Sequence, residues 1–232
     1  MLNVALDHTD YFSGIEHMRN SFVQFMNNGG ADGYAVYNYD CENCRICADS
    51  HIGTNITFSA RGDTSADYYA KNVEIISGFA SFDVYKNGEF YISLKLSAPG
   101  EHNIANSLAV VACCDLIGIA KEDIVKGIVS FAGVGRRFEY KGSFCGADVY
   151  DDYAHHPDEI KVTLNAAKGI SRGKVVAVFQ PHNYSRLRDL FEDFKTSFDD
   201  ADPPILCPLY AAREACGTEV SSEMLAKEID HA

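Results

Sequence analysis

The sequence predicts an α/β protein in two parts, divided near residue 134. Three observations carry this expectation. Residues 175–179 form a near-continuous apolar run, as expected for a parallel strand covered on both faces. From residue 148 onward short strands alternate with helical repeats, the pattern of βαβ units. Before Gly133 the pattern differs, because residues 55–96 read as antiparallel strands followed by two helices.

Residues 2–6 read as a short apolar strand running into Asp7-His8, and a buried strand so early leads one to expect chain upstream. Ile15, Met18, Phe22 and Phe25 recur at helical spacing over residues 14–26, and Gly29-Gly30 stops that helix. Residues 33–38 and 55–59 read as strands. Residues 82–85 and 90–94 flank Asn87-Gly88, the tip of a hairpin. After Pro99-Gly100 a helix places Ile104, Leu108, Val111 and Ala112 on one face and ends at Gly118. A second helix carries Ile124, Ile128 and Phe131 and ends at Gly133. Residues 148–150 are the next strand. Pro157 then opens a helix, with acids in its first turn and Ile160, Leu164 and Ala167 inward. A single helix with Leu187, Leu190, Phe191, Phe194 and Phe198 follows the 175–179 strand. Residues 205–207 make another strand, and Ser221-Ser222 caps a last helix carrying Met224, Leu225 and Ile229.

With 47% hydrophobic and 23% charged residues over 232 positions, the chain has material for a sizeable core. Its formal net charge of -13 argues against non-specific binding to nucleic acid or to an anionic membrane. No stretch has the length and apolarity of a membrane span, and the start has no signal-type run, so a cytoplasmic protein is expected. Of the eight cysteines, Cys113 and Cys114 are adjacent within a helical run, and reduced thiols are expected. Cys41-x-x-Cys44-x-x-Cys47 has thiolate–metal spacing, with His51, Cys207 or Cys216 as a fourth ligand. The preferred reading is a cysteine-rich surface helix or loop.

Ligands of open α/β sheets sit at the carboxyl ends of strands. Two such ends are unusually polar here: Asp151-Asp152-Tyr153-Ala154-His155-His156-Pro157 and Gln180-Pro181-His182-Asn183-Tyr184-Ser185-Arg186. Arg136-Arg137-Phe138-Glu139 stands at the junction of the two parts. Taken singly, His155-His156 is a polar helix start, Arg136-Arg137 a solvated pair, and residues 180–186 a loop. Taken together, carboxylates, histidines and arginines at strand ends suit a ribose, phosphates or a substrate carboxylate. His8, beside Asp7 and Asp10, is a candidate Mg²⁺ neighbour. The expectation is that residues 136, 152, 155, 182 and 186 converge on one cleft between the halves. The chain contains no G-x-x-x-x-G-K-[ST], so a phosphate cradle of that type is not encoded in it.

In order along the chain, these runs resemble the Mur ligases. Asp7-His8-Thr9-Asp10-Tyr11-Phe12 and Pro99-Gly100-Glu101-His102-Asn103-Ile104-Ala105-Asn106 look like segments of that family's central domain. Gly135-Arg136-Arg137-Phe138-Glu139 looks like the junction to the C-terminal domain. Residues 151–157, residues 180–186 and Tyr210-Ala211-Ala212-Arg213-Glu214 look like segments of the C-terminal domain itself. The implied fold is the later part of an ATPase central domain (1–133) followed by a Rossmann-like C-terminal ligase domain (134–232), the latter ending early at Ala232. The forms Arg-Arg-Phe-Glu, His-His and Gln-Pro-His point to the alanine-adding member, with the murein-peptide recycling member as the alternative.

The resemblance implies an ATP- and Mg²⁺-dependent reaction of peptidoglycan precursor synthesis. The carboxylate of UDP-N-acetylmuramate becomes an acyl phosphate, and the amine of L-alanine displaces phosphate. It implies Mg²⁺ on His8 and adenine against Asn103 and Asn106. Phosphates fall to Arg137 and the ribose to Asp152, while Tyr153, His155, His182 and Arg186 surround the alanine. Asn183 departs from the Arg of many relatives, which weakens or rearranges the clamp on the alanine carboxylate. Without the family's front portion and its phosphate loop, the isolated chain is expected to be inactive. A non-catalytic nucleotide- or amino-acid-binding module is the competing reading.

Overall fold

The computed structural model describes residues 1–9, 11–215 and 217–229. They divide into two compact units: residues 1–6 with 12–132, and residues 7–11 with 133–232.

The first unit is built on a five-stranded sheet in sequence order, β1 (Tyr34–Asn38), β2 (Thr54–Ser59), β3 (Tyr68–Ile76), β4 (Phe79–Lys86) and β5 (Glu89–Lys95). β1, β2 and β3 run parallel; β3, β4 and β5 are antiparallel. Residues 54–59 therefore do not belong to the antiparallel stretch the sequence suggested. The reason is α2 (Glu42–Ala48), a crossover helix that returns the chain to the same end of the sheet. The 82–94 hairpin forms as expected, with Asn87 at φ 50° and Gly88 at φ 88°, the left-handed pair a two-residue turn requires. β3 is not marked in the sequence because its second half is exposed and bulged between Lys71 and Glu74.

α1 (Ile15–Asn27), α3 (His102–Leu116) and α4 (Lys121–Ser130) complete the unit. Ile104, Leu108, Val111 and Ala112 of α3 pack with Phe58, Phe82, Val84 and Leu94 of the sheet, and Ile124 of α4 joins that core. On α1, Met18 and Met26 are buried while Phe25 is largely exposed, so the buried stripe is offset from the expected one. Residues 2–6 are not a strand. Val4 is buried beside Met18, Cys44 and Cys47, and its carbonyl accepts from Asn43 Nδ2 at 2.6 Å, a side-chain bond in place of a ladder bond. α2 is not a surface helix either, because Cys44 and Cys47 are fully buried.

In the second unit β6 (Glu139–Phe144) and β7 (Ala147–Asp151) form a hairpin, turned at Cys145-Gly146. β8 (Ala177–Phe179) and β9 (Pro204–Leu206) pair in parallel, and a bridge between His182 and Tyr210 extends that pair. Among the described residues β7 pairs with β6 and not with β8, so the 148–150 strand is not a member of the parallel pair. A cavity of about 770 Å³ borders Tyr150, Ala154, Leu164, Val176 and Val178. α5 (Pro157–Ile170) begins with a capping box: His156 Nδ1 accepts from Asp158 N, and Glu159 Oε2 accepts from the His156 amide. The single helix expected over residues 187–198 is two short ones, α6 (Tyr184–Asp189) and α7 (Phe191–Lys195), separated at Leu190 (φ -112°). Ser221 caps α8 (Ser222–Glu228) as anticipated. Leu164, Phe179, Leu187, Phe194, Phe198 and Leu225 form the core.

Candidate functional site

The polar ends of β7 and β8 meet within the second unit, around Asp7. Arg186, on α6 just after β8, is buried to 7% exposure, an unusual place for a guanidinium without a partner. Its Nε donates to Asp7 Oδ1 at 3.1 Å and its Nη1 to the His182 carbonyl at 3.3 Å. Burial pushes the Asp7 carboxyl up, but the His8 amide and the Arg186 charge outweigh it and hold Asp7 below its ordinary value.

His155, at the end of β7, places Nε2 4.0 Å from the other Asp7 oxygen. Its Nδ1 lies 2.8 Å from the Tyr153 carbonyl, and facing a carbonyl that nitrogen must carry the proton. Glu159 ties the next group together. It accepts from the His155 amide at 3.0 Å and stands 3.5 Å from an Arg137 nitrogen. Burial raises the Glu159 carboxyl, and the His155 and His156 amides, the His155 ring and Arg137 bring it below its ordinary value. Arg137 lies over the Tyr153 ring at 5.8 Å, and the Tyr153 and His155 rings meet edge-on at 5.1 Å.

His182 closes the other side, with its ring 5.5 Å from that of Tyr210. Burial lowers its pKa, and the charges of Arg186 and His155 lower it further. That favours the neutral imidazole. Asn183 adopts φ 69°, and its Oδ1 is buried with no hydrogen-bond partner among the described residues. Glu214 accepts from the Ser185 hydroxyl at 2.6 Å and amide at 2.8 Å, which fixes the start of α6.

Arg137, Tyr153, His155, His182 and Arg186 thus gather in the second unit. Asp152 borders them, but both its oxygens are engaged: Oδ2 by the Phe138 amide and Oδ1 by the Ala154 amide, each at 2.7 Å. The Arg136 charge acts on Glu139, whose carboxylate also holds the Arg136 amide at 2.8 Å. His156 serves the helix cap. Asp7, Glu159, Tyr210 and Glu214 were not singled out from sequence for a role. Glu159 was visible only as an acid at a helix start, and Asp7 only as a neighbour of His8.

His8 is exposed, with Nε2 3.8 Å from Asp7 Oδ2. Among the described residues no group of three or more His, Cys, Asp or Glu side chains could hold a metal ion. Asp10 and Cys216 lie outside the described residues. The described residues around His8 therefore do not by themselves fit a Mg²⁺ ion, and the Cys41, Cys44 and Cys47 thiols do not compose a metal centre.

In the first unit Asn103 and Asn106 sit at the start of α3. Asn106 Nδ2 donates to Asn103 Oδ1 at 3.0 Å, and Asn103 Nδ2 to the Pro99 carbonyl at 2.7 Å. Both border a mostly apolar cavity of about 310 Å³, walled by Ala98, Val110, Ile124 and Phe131. A flat heteroaromatic ring with polar edges suits such a slot.

These features match known proteins. Residues 1–114 match the Mur ligase middle domain, and residues 136–232 match the Mur ligase, glutamate ligase domain. The chain belongs to the Mur ligase family. Within it, the chain is 42% identical over 231 residues to UDP-N-acetylmuramate–L-alanine ligase of Clostridium acetobutylicum, covering 99% of this chain and 50% of that protein. It is 43% identical over 230 residues to the same ligase of Clostridium tetani, with the same coverage. The chain spans about half the length of the curated relatives it matches. The crystal structure of UDP-N-acetylmuramate-alanine ligase MurC from Thermotoga maritima superposes with a TM-score of 0.73 at 26% identity, over 96% of this chain and 46% of that one. A MurF structure from Acinetobacter baumannii, at 19% identity and a TM-score of 0.74 over 88% of this chain and 45% of that one, shares the fold. No helix among the described residues is long and apolar enough to cross a membrane.

Proposed function

We propose that this chain is the amino-acid-receiving part of a cytoplasmic, ATP-dependent ligase that joins L-alanine to UDP-N-acetylmuramate, with release of ADP and phosphate, in peptidoglycan synthesis. The observation that carries this reading is the buried Arg186 held between Asp7 and the His182 carbonyl, beside a neutral His182 and a proton-donating His155. A guanidinium has five N–H donors, and the two bonds to protein leave others for a substrate carboxylate. The alanine amine must lose a proton to attack an acyl carbon, and the neutral His182 is a base of suitable strength. Arg137, anchored by Glu159 and Tyr153, supplies positive charge where phosphoryl oxygens develop negative charge.

On this reading residues 1–133 are part of the central nucleotide-binding domain and residues 134–232 the C-terminal ligase domain. Asn103 and Asn106 meet the adenine at the apolar cavity, and Asp152 meets the ribose through lone pairs its two amide bonds leave open. ATP supplies the phosphoryl group that activates the muramyl carboxylate. Mg²⁺ accompanies the ATP, and the described residues around His8 do not by themselves hold it. The murein-peptide recycling alternative is not favoured, since relatives at 40–43% identity carry the alanine-adding name.

The test replaces the corresponding half of the Clostridium acetobutylicum ligase with these 232 residues and follows phosphate release. L-alanine- and UDP-N-acetylmuramate-dependent turnover is expected, and Arg186→Ala should lower kcat/KM for alanine by about 100-fold or more, the loss of one charge-assisted clamp. A folded, nucleotide-binding chimera that ignores alanine, or that is indifferent to the Arg186 change, would refute the assignment. The 232-residue chain alone is expected to release no phosphate above blank.

A further inference from the structure

Cys41, Cys44 and Cys47 lie in the first unit, apart from every group used above. Cys41 immediately precedes α2, Cys44 lies within its first turn and Cys47 one turn further on. The three thiols differ in access: Cys41 is partly exposed, whereas Cys44 and Cys47 have no exposed surface. They also differ in partners. Cys41 packs against the buried cluster that holds Cys44 and Cys47, and it stands three residues before Cys44 at the start of α2. Cys47 instead directs its thiol to the Arg19 carbonyl on α1, at 3.7 Å.

We propose that Cys41 and Cys44 are a redox-active dithiol that exchanges reversibly with small-molecule disulfides, Cys41 as the attacking sulfur and Cys44 as the resolving one. The Arg45 amide, bonded to the Cys41 carbonyl at 3.2 Å, closes the first helical turn and sets Cys41 and Cys44 at neighbouring positions on it. A C-x-x-C pair with one accessible and one sequestered sulfur is the arrangement that thiol–disulfide exchange requires. The charges are poised to match. The Cys44 thiol, with the amides of Val4, Cys44 and Asn43, outweighs burial and draws the Cys41 thiol down to about 5. The neighbouring Cys41 sulfur and burial push Cys44 up, and burial pushes Cys47 up despite the nearby Arg19.

The exchange balances in two steps. The Cys41 thiolate attacks one sulfur of an external disulfide, forming a mixed disulfide and expelling one external thiolate. The Cys44 thiol passes its proton to that leaving thiolate, attacks the Cys41 sulfur and displaces the second external thiolate. Two electrons leave the protein, and the external disulfide becomes two thiols.

The full chain would be equilibrated with mixtures of reduced and oxidised glutathione, trapped by alkylation and mapped by mass spectrometry. A Cys41–Cys44 linkage, two hydrogens lighter and reversed by dithiothreitol, is expected in the wild type and in Cys47→Ser, and it should vanish in Cys41→Ser. Because replacing the buried Cys44 can impair folding, the second readout uses unaltered protein: iodoacetamide at pH 6 should modify Cys41 about tenfold faster than Cys113, the thiolate advantage less its lower nucleophilicity. Pairing of Cys44 with Cys47, no linkage at any glutathione ratio, or equal alkylation of Cys41 and Cys113 would each overturn the proposal.

Discussion

Arg186 and His182 are four residues apart in sequence and act on each other in space. The guanidinium takes the His182 carbonyl, and its charge helps keep the imidazole unprotonated. Removing that charge should therefore raise the imidazole's midpoint. In a proton NMR titration the wild-type His182 ring is expected to titrate below 6.5, and Arg186→Ala should shift its midpoint upward; an unchanged midpoint would mean that burial alone sets it. Both residues were legible in sequence because they sit in a polar run after an apolar strand, where a ligand site is expected. The pairing of Asp7 with Arg186 was not, since the two are 179 positions apart. Asp152 was read for a ligand role, yet its oxygens are engaged by two backbone amides, a use that sequence does not distinguish from ligand binding.

At the scale of elements, α3 is anchored to the sheet by polar as well as apolar contacts. Asp115, near its C-terminal end, accepts from the Lys86 ammonium, from the Tyr68 hydroxyl and, at 2.6 Å, from the Tyr91 hydroxyl. Burial raises the Asp115 carboxyl, but Lys86 and the two tyrosines bring it down to about 2. A carboxyl depressed on folding stabilises the fold at any pH above its unfolded value, and that contribution is lost as the pH falls through the folded value. Asp115→Asn should thus lower stability by about 1–2 kcal/mol at neutral pH. In urea titrations the deficit should shrink between about pH 4 and pH 2. A deficit constant with pH would assign the effect to packing. The apolar face of α3 was readable from its spacing, and the Asn87-Gly88 turn from its residue types. β3 and β6 were not, because each alternates poorly and is largely exposed. The break at Leu190 leaves no mark in the sequence because Leu187, Leu190 and Phe194 stay buried on both sides of it.

At the scale of the whole molecule, the chain passes between the two units after residues 6, 11 and 132, and the last passage is an exposed run that includes Gly133 and Val134. Limited proteolysis should cut there first and leave a product beginning near residue 134 that stays with the fragment carrying residues 7–11; first cuts inside β4 or α5 would contradict the division. The two-part organisation was legible in the change of pattern after Gly133. The assignment of residues 7–11 to the second unit was not, since that crossing depends on contacts with residues far along the chain.

Those five residues have a consequence during synthesis. The chain leaves the first unit after residue 6, contributes residues 7–11 to the second and returns at residue 12. Asp7 emerges from a ribosome 179 residues before Arg186. At ordinary bacterial elongation rates that interval is roughly 10–40 s. The first unit can mature in that time while its early loop waits, and the anion that neutralises the buried guanidinium is in place before the cation is made.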